Sequence, residues 1–101
     1  MAEKTALQQK LEDEVMEAPW APFATHHERD CVFVLDPELP LVMVAMAVGQ
    51  DLVDDVKRWL ESGQLARVSN AQANQWAGSP QRFQFLIVQP YVLITPLAPE
   101  G

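Results

Sequence analysis

The sequence predicts an α+β fold, a small and mainly antiparallel sheet of three to four strands packed against helices, on three observations. The first is Leu41-Val-Met-Val-Ala-Met-Ala-Val48, an unbroken apolar run that stops at Gly49. A strand without polar alternation is covered on both faces, so this run is expected at the centre of the sheet. The second is the segment from Asp51 to Gly63, where Leu52, Val53, Val56, Trp59 and Leu60 recur at helical spacing. The third is the pair of β-favouring runs Phe83–Val88 and Tyr91–Thr95 near the C-terminus.

In chain order, Leu7, Leu11, Val15 and Ala18 form a narrow apolar stripe that predicts a helix over residues 5–17, with Thr5 as its cap and Pro19 as its stop. Glu12, Asp13, Glu14 and Glu17 crowd the negative end of its dipole, so packing has to hold it. Trp20, Phe23, Ala24 and His27 fit a short second helix with prolines in its first turn. Cys31-Val-Phe-Val-Leu35 then reads as a strand, and with the Leu41–Val48 run it reads as an antiparallel hairpin.

The helix expected over residues 51–62 takes Asp51 as its N-cap and Gly63 as its left-handed C-cap. Asp54 with Arg58, and Lys57 with Glu61, are spaced for ion pairs on its outer side, and Trp59 is expected buried against the central strand. Ser69-Asn70-Ala71-Gln72 has the capping-box pattern and opens a helix over residues 70–77, closed by Gly78-Ser79-Pro80. The runs 83–88 and 91–95 are either a hairpin or one long edge strand broken at Pro90, because Gln89-Pro90 does not readily supply the positive φ of a tight two-residue turn. Pro96 and Pro99 mark a frayed tail.

A chain of 101 residues makes one domain, with an ordered core expected over about residues 5–95. Fourteen acidic and seven scattered basic residues give a net charge of −7, which argues against nucleic acid and against an anionic membrane as partners. The longest apolar run is broken by Pro40 and Gly49, well short of the ~20 residues a spanning helix needs. Cys31 has no second cysteine to pair with, and the acidic N-terminus lacks the features of a signal peptide, so a cytoplasmic location is expected.

The order of Trp20, the run Leu41–Ala47 into Gly49-Gln50-Asp51, Trp59-Leu60-x-x-Gly63-Gln64-Leu65, the Ser69–Trp76 segment and Gln89-Pro90-Tyr91-Val92-Leu93 resembles the bacterial family called domain of unknown function 2288. Pro40 and Tyr91 stand where that family usually carries an acidic residue and a tryptophan. The resemblance implies a small cytoplasmic protein of mixed α and β structure. It implies no activity and transfers no catalytic residue.

Chemistry-bearing residues gather only at His26-His27-Glu28-Arg29-Asp30-Cys31. Adjacent histidines on a helix point roughly 100° apart and cannot share a metal, and no second cysteine or third histidine completes a set of about four ligands. His26, His27 and Cys31 therefore remain weak metal candidates beside the plainer reading of solvated histidines and a structural, inert thiol. Asp51, Asp54 and Asp55 suit the positive end of a helix dipole better than a cation site. Trp20, Trp59 and Trp76 fit core packing, although Trp76 with Asn74 and Gln75 could form a polar ligand-binding surface.

No catalytic residue and no cofactor are indicated. The sequence reading is a non-catalytic protein-interaction or regulatory module. Its rival is a small-molecule- or metal-binding protein, an enzyme included, using the His26–Cys31 region or the Trp76 surface. A partner protein or a two-fold homodimer is the expected associate, the dimer built through Leu7, Leu11 and Val15 or through a Tyr91–Thr95 edge strand. The alternative is that the first helix docks on its own sheet.

Overall fold

A computed structural model describes residues 6–97, and Thr5 and Pro99, with the roles assigned to them above, lie outside the described residues. Five strands form one mixed sheet in the order β1-β4-β5-β2-β3, where β1 is Met16–Pro19, β2 Val32–Leu35, β3 Leu65–Arg67, β4 Arg82–Val88 and β5 Tyr91–Pro96. The α+β class holds, but the sheet is larger than expected and not purely antiparallel, since β2 runs parallel to β5. Five α-helices surround it: α1 Ala6–Glu14, α2 Ala24–Glu28, α3 Leu41–Gly49, α4 Val53–Ser62 and α5 Asn70–Ala77.

Strand alternation sends side chains to two cores. Leu35, Leu65, Leu86 and Leu93 meet Leu11 of α1 and Leu41, Val44 and Ala45 of α3 on one face, with Val56 and Trp59 of α4 packed alongside. Val32, Phe83, Val92 and Ile94 meet Trp20, Phe23, Val68 and Ala73 on the other. Helices cover both faces, so strands β2, β4 and β5 are rich in apolar residues throughout.

The Leu41–Val48 run is α3 and not the central strand, and it forms no hairpin with β2. Pro40 sits at the N-cap in extended geometry and its carbonyl accepts the first helical bond, from the Val44 amide at 3.2 Å. Met43 is exposed between buried Leu41 and Ala45, an arrangement a strand forbids because all three would share one face. Leucine, methionine and alanine favour the helix, and its buried residues Leu41, Val44, Ala45 and Ala47 face the sheet and the neighbouring helices.

The strand buried on both faces is β5, where Val92, Leu93 and Ile94 are each at most 2% exposed. It pairs with β4 and β2, so Tyr91–Thr95 is interior and not an edge, and Pro96 belongs to the strand. β4 and β5 form a hairpin in which Val88 faces Tyr91, and the Gln89-Pro90 peptide between them is cis, the geometry of a proline turn that needs no positive φ.

The first helix ends at Glu14, short of residue 17, and Met16–Pro19 instead pairs antiparallel with β4. Three acids at the C-terminal end oppose helix extension, and Pro19 is tolerated because β1 is an edge strand. Leu11 is buried, with Leu7 and Val15 packed on the same core. Both surfaces offered above for a two-fold dimer are thus occupied within one chain.

Asp51 does not cap α4: it has φ of 60°, and Leu52 takes the N-cap position without a side-chain hydrogen bond. Arg58 pairs with Asp55, one turn back, and not with Asp54. Trp59 is half-buried against α3 and its surroundings, so the sequence overstated its burial. Gly63 does adopt the left-handed C-cap, at φ of 83°. The short second helix is present as a 3-10 turn, Ala21–Phe23, leading into α2.

The capping box of α5 forms in full: the Gln72 amide donates to Ser69 Oγ at 3.1 Å, and the Ser69 amide donates to Gln72 Oε1 at 3.1 Å. Ser69→Ala is expected to cost about 1 kcal/mol, read as a lower urea midpoint at unchanged slope.

Candidate functional site

Helix α4 supplies the clearest surface with unmet physical demand. Its ten residues carry Val53, Val56, Trp59 and Leu60, with Leu52 just before them, yet none of the ten is buried. Five apolar side chains on so short a helix span more than one contact can cover. Trp59 leans toward α1 and α3, where it lines a groove of about 670 Å³ with Met43, Met46 and Arg58. Val53, Val56 and Leu60 turn the other way.

That second direction opens a cleft of about 640 Å³ between α4 and the sheet. Its floor is the buried trio Ala47, Leu65 and Leu93, and its walls are Phe33, Val48 and Val56. The rim is apolar and wet: Leu52 is 43%, Val53 62%, Leu60 45% and Tyr91 39% exposed. Parallel pairing of β2 with β5 brings Phe33 beside Tyr91, their rings meeting edge-on at 5.6 Å. The guanidinium of Arg67 lies 5.9 Å from the centre of the Phe33 ring.

Three charged residues line the cleft, Asp51, Lys57 and Arg67. Lys57 and Arg67 form no ion pair among the described residues, and the expected Lys57–Glu61 pair is not made. Beside them runs the edge strand β3. The Asp36 amide donates to Gln64 and the Val68 amide to Val32, so alternate residues of this segment bond to β2 and the backbone groups of Leu65 and Arg67 point away from it.

Of the residues singled out from the sequence, Asp51 lines this cleft, while His26, His27, Cys31 and the Trp76 surface lie elsewhere. His26 and His27 are half-buried on α2, and His27 Nε2 is 3.0 Å from Asn70 Oδ1, which ties α2 to α5. The Cys31 thiol donates to the Arg29 carbonyl at 3.2 Å and is not in a disulfide. Among the described residues no three His, Cys, Asp or Glu side chains converge as a metal site would require. Trp76 is half-buried, its ring 4.9 Å from that of Phe83 and 5.5 Å from that of Trp20, while Asn74 and Gln75 are exposed next to it. The ring system therefore belongs to the second core, leaving the amides at its margin.

Sequence reasoning did not assemble the cleft, because its lining comes from α3, α4, β2, β3 and β5 and depends on their order in the sheet. One signal was available. Leu52, Val53, Val56, Trp59 and Leu60 span a wide face in the sequence, and a wide apolar face on an outer helix exceeds what a single neighbour can cover.

No helix among the described residues is long and apolar enough to cross a membrane. The chain is similar to the protein PA1075 from Pseudomonas aeruginosa, known from a solution NMR structure: the two are 29% identical, the match covers 100% of this chain and 94% of that one, and the TM-score is 0.81. No curated protein gives a significant match. Residues 6–96 match the sequence model of the family described as Protein of unknown function (DUF2288), and the chain belongs to that family.

Proposed function

We propose that the protein is a non-catalytic interaction module that receives an apolar segment of a partner protein in the cleft beside α4. The observation that carries this reading is the uncovered apolar rim: Leu52, Val53, Leu60 and Tyr91 surround a cleft whose floor is already closed by buried side chains. Scattered exposed apolar residues are ordinary on a protein surface, whereas a contiguous set around a concavity marks an interaction site. The fold has no need of these side chains in contact with water, and a partner covering them gains the hydrophobic free energy they forgo.

The volume of about 640 Å³ also lies in the range of small-molecule pockets, roughly 300 to 1,000 Å³. A small ligand seated on the floor would leave Val53 and Leu60 wet, because both stand at the rim. A polypeptide covers floor and rim together.

Photo-cross-linking in the native cell tests the reading. With p-benzoylphenylalanine replacing Leu60, a discrete adduct of defined mass is expected, and the same reagent replacing exposed Ala71 on α5 should give none. Equal adducts from both positions, or none from Leu60, would defeat the proposal.

A further inference from the structure

The cleft also holds information about the chemistry of what enters it. Its charged lining is two cations to one anion, Lys57 and Arg67 against Asp51, in a chain whose acids outnumber its bases by fourteen to seven. Neither cation has a carboxylate partner among the described residues, although acids are the commonest charged groups on this surface. Lys57 stands on α4 and Arg67 on β3, so two different elements bring a cation to the one cleft.

We propose that the occupant is an acidic, apolar segment of a partner polypeptide, whose apolar side chains fill the cleft floor and whose carboxylates pair with Lys57 and Arg67. This rests on the reading of the cleft as a partner-binding site. Both cations are exposed in the protein alone, so pairing becomes stronger only when a partner excludes water from them. Arg67 offers a planar fork suited to a carboxylate, while its other face stays against Phe33. The outward backbone groups of Leu65 and Arg67 favour a polypeptide over a small amphiphile, because a chain lying along β3 supplies the amides and carbonyls they lack. The overall charge of −7 repels acidic molecules from most of the surface, and although Lys10, Arg29 and Arg82 are exposed cations too, Lys57 and Arg67 line one apolar cleft together, which is where a segment both acidic and apolar can dock.

Two fluorescein-labelled peptides of equal length, identical in their leucines and phenylalanines and differing only in glutamate against lysine at the remaining charged positions, provide the test by fluorescence anisotropy. Nile red, neutral and apolar, reports in parallel whether the cleft accepts apolar groups at all. The acidic peptide is expected to bind about tenfold tighter than the basic one, and Lys57→Glu with Arg67→Glu should reverse that order. Both substitutions are at exposed positions, and unchanged thermal melts will show the fold is intact. Nile red should brighten with the parent and with the charge-reversed protein alike, and not with Leu60→Asp. Equal or reversed peptide preference with Nile red behaving as expected overturns the acidic occupant and leaves the apolar cleft standing. No Nile red signal that depends on Leu60 overturns both. Decanoate displacing Nile red while the acidic peptide does not would assign the cleft to a small amphiphile and refute the proposal.

Discussion

Val44→Asp is expected to leave the protein unfolded at room temperature. Val44 is fully enclosed where α3 lies on β4 and β5, with no polar group buried in that core to receive a carboxylate. An ion taken out of water without a partner costs several kcal/mol even after relaxation, against about 5 to 15 kcal/mol for the stability of a whole domain. Far-UV circular dichroism and proton NMR will read the loss directly. Met43→Glu makes the comparison sharp. Met43 is exposed on the helix, so this neighbour should cost less than about 1 kcal/mol. A strand buried on both faces would be damaged by either change, and comparable losses from the two variants would contradict the helix.

Phe83→Ala has the second-largest expected effect, a loss of about 3 to 5 kcal/mol in urea unfolding. The ring is fully buried at the middle of the second core, 4.9 Å from Trp76, 6.1 Å from Phe23 and 6.3 Å from Trp20. Edge-on aromatic pairs add stabilisation beyond the buried area, so removing the shared member costs more than one side chain's transfer free energy. The 3-10 turn and α5 meet through this cluster. Trp76 fluorescence should therefore change in the folded variant as well, and a stability within about 1 kcal/mol of the parent would show that the two elements are held by something else.

Some local signals in the sequence hold, whereas Asp51 as the N-cap of α4 does not. Gly63 at a left-handed cap and Ser69 with Gln72 in a capping box are decided within a few residues. Leu41–Gly49 is a helix where its sequence suggests a strand, because a short apolar run has no period of its own and suits either element until tertiary contacts arbitrate. Met16–Pro19 and Leu65–Arg67 are strands by pairing, each too short for its composition to declare it. Once α3 is a helix, β5 becomes the doubly covered strand, and Phe33, Arg67 and Tyr91 come together at one end of the sheet. The cleft was therefore hidden behind the strand order and not behind its residues. Lys57 and Arg67 appeared in the sequence as scattered charges, and the fold makes them neighbours of one concavity.

The central claim is that the apolar rim of the cleft serves binding and not folding, and equilibrium urea unfolding of the double variant Val53→Gln/Leu60→Gln tests it most directly. Glutamine keeps helix propensity and removes the apolar surface, so only the role of that surface is in question. Because Val53 is 62% and Leu60 45% exposed, the account predicts stability within about 1 kcal/mol of the parent at an unchanged slope. A loss of about 3 kcal/mol or more would mean these side chains hold α4 on the sheet, and the cleft would then be part of the core.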